Sequence, residues 1–277
     1  MYQERVMKNG EFIFIDGETD HPFVATAIHA GHHVRQELKP LYNLQPKERL
    51  REEDPYTDYF ASFSPRQIIG NYSRFEVDVN RSRDTSVYRS PDGAWGLDVW
   101  SQWPGLDRLA YSYEIHRKFF ESVREMLSRL VDRYGFVVIY DLHSYNFRRG
   151  GPFAPPDDPE LNPDINLGTA NLNRELWAPV IDGLIHDLQA FDFPGRTLDV
   201  RENIKFRGGY FSQWVREQFG DYSCAVAIEV KKFFMDEWTG RYDPKQLRAV
   251  RELIQSTVPG MFSRSRRVSR QLPGVLV

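Results

Sequence analysis

The sequence predicts an α/β protein built on a mixed, largely parallel twisted sheet flanked by helices. Three observations carry that expectation. Short apolar runs rich in β-branched and aromatic residues, FVVIY at 136–140 and CAVAIEV at 224–230, have the pattern of strands buried on both faces. Stretches of helical apolar periodicity separate them, so successive strands need crossover connections. Polar and ionisable residues gather where the apolar runs end, the edge at which open α/β sheets bind ligands.

Taken in order, the first strand candidate is FVATAI at 23–28, which ends at His29; HAGHHVRQEL then reads as a loop running into a polar helix start. LREEDPYTDYF at 50–60 places Pro55 as the first residue of a helix with Asp54 as its N-cap. FEVDV at 75–79 alternates like a strand. Residues 115–134 put Ile115, Phe119, Val123, Met126, Leu127, Leu130 and Val131 on one face of a helix that stops at Gly135 and feeds the 136–140 strand. GGPFAPPDDPELNPDIN at 150–166 is too rich in Pro, Gly and Asp for regular structure, and its position favours a lip over the site. Helical patterns follow at about 171–188 and at 211–219, the second closed by Gly220; a last helix begins on Pro244.

Bulk properties narrow the function. With 277 residues and no linker-like stretch, residues 1–277 are expected to form one domain around a sizeable core. A net charge of −3 gives no electrostatic reason to expect a nucleic-acid partner, which leaves a small molecule as the substrate class. The single cysteine, Cys224, excludes internal disulfides and cysteine-based zinc modules and fits a reducing compartment. No apolar run is long enough for a bilayer span or a signal peptide, so no membrane partner and a cytoplasmic location are expected.

The chemistry lies at the strand ends. His29 and His143 follow two different strands, and imidazoles converging in this way, usually with a carboxylate as third ligand, are what a zinc site uses. Each His taken alone reads equally well as a hydrogen-bonded turn residue. The acidic run Glu52, Glu53, Asp54 and Asp58 can supply the carboxylate, although Asp54 also suits a plain helix cap. Arg74, Asn80 and Arg81 crowd donors around FEVDV: a planar guanidinium fork and a neutral amide suit a substrate carboxylate, with surface ion pairing to Glu76, Asp78 or Asp84 as the alternative. Glu229 sits inside an apolar strand, where an ionised carboxylate is costly unless it is paired or near a cation, and that suits a general base beside a metal. Asp141, two residues before His143, can support that imidazole or cap a turn.

AIHAGH, EEDPYTD, SRFEVDVNR, YDLHS, NIKFRGGYFSQWVREQFG and AVAIEVKKFFMDE occur in the order found in the N-formylglutamate amidohydrolase family, which the chain resembles over roughly residues 24–237. That family looks like a branch of the zinc carboxypeptidase and aspartoacylase group. The resemblance therefore implies a carboxypeptidase-like (phosphorylase/hydrolase-like) three-layer architecture. It implies one zinc held by His29, His143 and an acidic residue, Asn80 and Arg81 on the substrate carboxylate with Arg74 in support, and Glu229 as base. It also implies an N-acyl acidic amino acid such as N-formyl-L-glutamate as substrate, with another N-acyl acidic compound, or a metal-free carboxylate-binding role, as alternatives. Two positions depart from the pattern. The related carboxypeptidases and aspartoacylases carry Glu three residues after the first His, where this chain has His32. The acidic ligand is then expected from EEDP, Asp54 ahead of Glu53, unless His32 itself binds. The family's more usual FKGG is FRGG here, which keeps a basic substrate-binding candidate at Arg207.

Overall fold

The computed structural model describes the backbone of residues 5–8 and, in full, residues 11–273. Its eight strands are β1 (Arg5–Lys8), β2 (Phe12–Asp16), β3 (Phe23–Ala27), β4 (Arg66–Gly70), β5 (Val137–Tyr145), β6 (Ile165–Gly168), β7 (Val200–Glu202) and β8 (Ser223–Lys231), in the sheet order β1-β2-β4-β3-β5-β8-β6-β7. The pairs β3–β4, β3–β5, β5–β8 and β6–β7 are parallel, whereas β1–β2, β2–β4 and β6–β8 are antiparallel. The helices are α1 (Pro46–Glu52), α2 (Thr57–Ala61), α3 (Leu106–Tyr134), α4 (Ala178–Ala190), α5 (Tyr210–Phe219), α6 (Pro244–Ser256) and α7 (Val258–Ser269).

Strand alternation divides the apolar side chains between two cores. Val137 and Ile139 of β5 pack with Phe119 and Val123 of α3 and with Phe211 and Val215 of α5. Val138, Tyr140 and Leu142 face the opposite way, toward Leu184 of α4, Leu253 of α6 and Met261 of α7. The expected mixed sheet with helices on both faces is therefore borne out. None of the described helices is long and apolar enough to cross a membrane.

Several local expectations change. FEVDV is a succession of turns, although Val77 and Val79 still reach the core: Asp78 Oδ1 accepts from Asn80 N at 2.8 Å and Asp78 N donates to Ser86 O at 2.7 Å, which takes these groups out of any ladder. The helix start expected after His29 shrinks to a single 3₁₀ turn at Lys39–Leu41; residues 30–38 ahead of it are turns and irregular chain with one bridge, His33 to Tyr72. The 171–188 helix begins only at Ala178, because Asn173 Oδ1 accepts from Leu176 N at 3.2 Å and holds a turn ahead of it. α3 extends back to Leu106, and its end is as expected, with Gly135 at φ 80 and its N–H on Val131 O at 2.7 Å. Residues 150–166 are mostly irregular, but the last two already belong to β6.

Candidate active site

Three chain segments meet at the C-terminal ends of β3, β5 and β8. His29 lies just past β3, and His143 lies within β5 in register with Glu229 of β8. The α1–α2 connection is drawn onto this edge by the hydrogen bond from Asp54 N to His29 O, 3.0 Å. Lys232, only 1% exposed, fixes the same connection from below: its ammonium donates to Arg51 O at 2.6 Å, Glu53 O at 2.8 Å and Asn146 Oδ1 at 3.0 Å. Those carbonyls stand at the end of α1, where no helical partner exists, so a buried cation caps them. Asp54 is not a helix cap. α2 starts at Thr57 behind Tyr56, whose φ is 71, and Asp54 offers it only a backbone carbonyl. Its carboxylate is free to turn inward.

His29, Asp54 and His143 are buried, and one donor atom from each can be chosen so that all lie within 4.8 Å of one another. The outer ring nitrogens are committed to carboxylates. His29 Nε2 donates to Asp78 Oδ1 at 2.8 Å and His143 Nε2 to Asp141 Oδ2 at 2.9 Å; Asp141 Oδ1 is in turn held by Thr26 Oγ1 at 2.5 Å. This leaves the two Nδ1 atoms facing Asp54 Oδ2, at 3.4 Å for His29 and 2.9 Å for His143, and His29 Nδ1 is buried without a hydrogen-bond partner. A neutral ring held in that way turns an Nδ1 lone pair onto a carboxylate, an arrangement that is favourable only with a cation between them, a proton or a metal. Two imidazoles and a carboxylate oriented by further carboxylates are a donor set that fits a divalent metal.

The electrostatics agree. Burial would raise the Asp54 carboxyl, but the hydrogen bond from the His143 ring and the nearby His29 ring hold it far below the usual carboxylate range. Burial would likewise lower His143, yet the carboxylates of Asp141 and Glu229 keep it well above the usual imidazole range. Asp78 is held low against its own burial, chiefly by Arg74 and then His29. A proton and a metal thus compete for one place, so metal binding weakens as pH falls.

Beside this cluster lies a cavity of about 150 Å³ whose wall includes Arg74, Asn80, Arg207, Gly209 and Glu229. Arg74 is tied in place: it donates to Asp78 Oδ2 at 3.0 Å and Tyr88 Oη at 3.2 Å and lies over the Trp95 ring at 4.6 Å. Asn80 Oδ1 accepts from Phe211 N at 2.9 Å, and its amide rests against Gly209, where a Cβ would approach it to 2.2 Å; only glycine lets the FRGG segment close on Asn80. The Arg207 guanidinium, by contrast, has no hydrogen bond or ion pair among the described residues. Arg81 meets the same Asp78 carboxylate and Tyr88 side chain as Arg74. It does not line the cavity; its guanidinium donates to Gly93 O at 2.7 Å, stands 3.6 Å from Asp78 and covers the Tyr88 ring at 4.7 Å. None of residues 150–166 lines the cavity either, so the expected lip is absent from its wall, although Arg149 just before them does line it.

Burial pushes the Glu229 carboxyl from 4.5 up to about 7; the His143 ring opposes this, while Asp54 and Asp141 reinforce it. In metal-free protein the native state therefore keeps a proton that the unfolded chain loses, and this contribution to stability is full below 4.5 and lost as pH rises through 7. Glu229→Gln should remove that loss. Urea melts across the window should show metal-stripped variant gaining on wild type with rising pH, by up to about 3 kcal/mol. Parallel curves would show that Glu229 does not titrate there.

Residues 21–235 match the model of a family described as N-formylglutamate amidohydrolase. The chain belongs to that family. The N-formylglutamate deformylase of Pseudomonas putida is 26% identical, with 72% of this chain and 77% of that protein covered. The crystal structure of N-formylglutamate amidohydrolase from Ralstonia eutropha JMP134 aligns with a TM-score of 0.73 at 17% identity, over 93% of this chain and 99% of that one. A gene product of Agrobacterium tumefaciens aligns with a TM-score of 0.59, also at 17% identity, over 88% of this chain and 92% of that one.

In this N-formylglutamate amidohydrolase family member the sequence reading missed Asp78, Lys232 and Arg149 as parts of the site. Asp78 is concealed because FEVDV looks like a strand with an outward carboxylate, whereas in the turn it is fully buried against His29. Lys232 carried a signal: a lysine immediately after a buried strand needs acceptors. His32 stands outside the cluster, with its Nδ1 on Glu53, whose other oxygen accepts from Ser73 Oγ.

Proposed function

We propose that the chain is a zinc-dependent amidohydrolase that hydrolyses the N-formyl amide of a small acidic amino acid, N-formyl-L-glutamate in the first instance, to formate and the free amine. The observation that carries this reading is the convergence of two imidazole Nδ1 atoms and the Asp54 carboxylate next to Glu229, in a cavity that also presents Arg74, Asn80 and Arg207. The family's name and the Pseudomonas putida relative's name supply the substrate class. Zinc, held by His29, Asp54 and His143, would supply Lewis acidity, polarising the acyl carbonyl and making water a stronger acid.

The protein's own groups do the rest. Glu229, which lines the cavity beside His29, Asp54 and His143, takes the proton from the attacking water and returns it to the departing nitrogen as the C–N bond breaks. Arg207, whose guanidinium is uncommitted, and Asn80 receive the substrate carboxylate. Arg74 adds positive potential from the wall, and Arg81 braces Tyr88 and Asp78 behind it. Holding the carboxylate fixes the amide against the metal, which is an orientation effect on the barrier.

The test is a comparison of N-formyl-L-glutamate with an analogue in which the side-chain and α-carboxylates are replaced by amides. Wild type should lose about 10²-fold or more in kcat/KM on the analogue, since a charge-assisted pair is worth several kcal/mol in a desolvated site. Arg207→Gln should lose much less between the two substrates. Equal hydrolysis of acid and amide by wild type would defeat the acidic-substrate reading.

A further inference from the structure

A second cavity, of about 640 Å³, opens beside the first turns of α1, at Pro46 and Arg49. Its wall includes His32, His33, Lys39, Tyr42, Leu44 and Arg49; it contains no Asp or Glu among the described residues and shares no residue with the catalytic cavity. Arg49 is the anomaly. It is 6% exposed, its Nε is buried without a partner, and its guanidinium makes no hydrogen bond or ion pair among the described residues; its only neighbour of note is the Tyr42 ring at 5.2 Å. Arg66, equally buried at 3%, shows the ordinary solution, donating to Asp16 Oδ1 and to the carbonyls of His21 and Thr19. The Tyr42 hydroxyl is also buried without a partner, and its ring is held by stacking on Trp100 at 4.4 Å. Burial keeps that phenol protonated well beyond its usual range, so it is neutral here and has a proton to donate.

A guanidinium whose Nε is buried without an acceptor and a buried hydroxyl without one, in one cavity with a lysine and no carboxylate in its wall, call for an acceptor from outside the chain. We propose that this cavity is a second ligand site that binds a small molecule through a carboxylate or phosphate group, with the Arg49 fork and the Tyr42 hydroxyl as its donors. Guanidinium geometry matches either oxyanion. Lys39 adds charge at the mouth, and Val34, Leu44 and Pro46 offer an apolar wall to a short hydrocarbon body. The nearby Glu53 carboxylate does not compete, because His32 and Ser73 already engage it.

Calorimetric titration of zinc-loaded protein with inorganic phosphate and, separately, with succinate distinguishes the two oxyanions. At least one should bind saturably, Arg49→Met should weaken that binding tenfold or more, Tyr42→Phe should weaken it severalfold, and Arg207→Gln should leave it unchanged. Arg49→Met should also raise the melting temperature in anion-free buffer, because it removes a buried charge that has no partner. If Arg49→Met does not fold, Arg49→Lys keeps the charge but loses the fork and should still weaken binding. Saturable binding by neither anion, equal binding by the Arg49 and Tyr42 variants and wild type, or loss of binding in Arg207→Gln would overturn the proposal. The last result would place the anion in the catalytic cavity.

Discussion

Glu229→Gln is expected to lower kcat on N-formyl-L-glutamate by about 10²-fold or more while zinc content stays at the wild-type level. The substitution keeps the shape and the hydrogen-bonding reach of the side chain but removes its ability to take a proton. Glu229 lies opposite His143 in the β5–β8 register, and it is not one of the three residues whose donor atoms converge. Loss of activity without loss of metal therefore separates proton transfer from coordination. KM should change little, since the carboxylate-binding groups are elsewhere on the wall. A variant with near-normal kcat would remove Glu229 from the chemistry and leave its place in the cavity wall beside the two histidines unexplained.

The second large effect is loss of the metal itself. His29→Ala, His143→Ala and Asp54→Asn should each lose zinc on desalting and lower kcat by about 10³-fold or more, because the Lewis-acid contribution amounts to several kcal/mol of the barrier. His32→Ala and Asp58→Asn should keep their zinc, since neither carries an atom of the converging set. Metal analysis of the purified variants decides this independently of any assay. Stoichiometric zinc in Asp54→Asn together with zinc loss in His32→Ala would give the third position to His32.

The site is legible in the sequence where chemistry conflicts with burial. Histidines just past two apolar strand runs and a glutamate inside a third are positions that solvation alone does not explain, and His29, His143 and Glu229 stand out for that reason. Asp54 is ambiguous in the sequence because a carboxylate before Pro-Tyr-Thr suits a helix start equally well. The ambiguity ends only with the long-range bond from Asp54 N to His29 O and the grip of Lys232 on the preceding carbonyls. Local patterning also misleads at FEVDV, where alternation that favours a strand is overridden by bonds of Asp78 to Asn80 and Ser86. That turn aims Asp78 at His29 and lays Arg81 over the Tyr88 ring. Adjacency of Asn80 and Arg81 in sequence carried no information about which way each side chain turns.

The most direct test is a zinc titration of chelator-treated protein with both products of N-formyl-L-glutamate quantified. The predicted result is turnover that rises linearly to a break at about one zinc per chain, with formate and glutamate formed in equal amounts. Undiminished turnover by metal-free protein, or full zinc occupancy with no formate released, would contradict it.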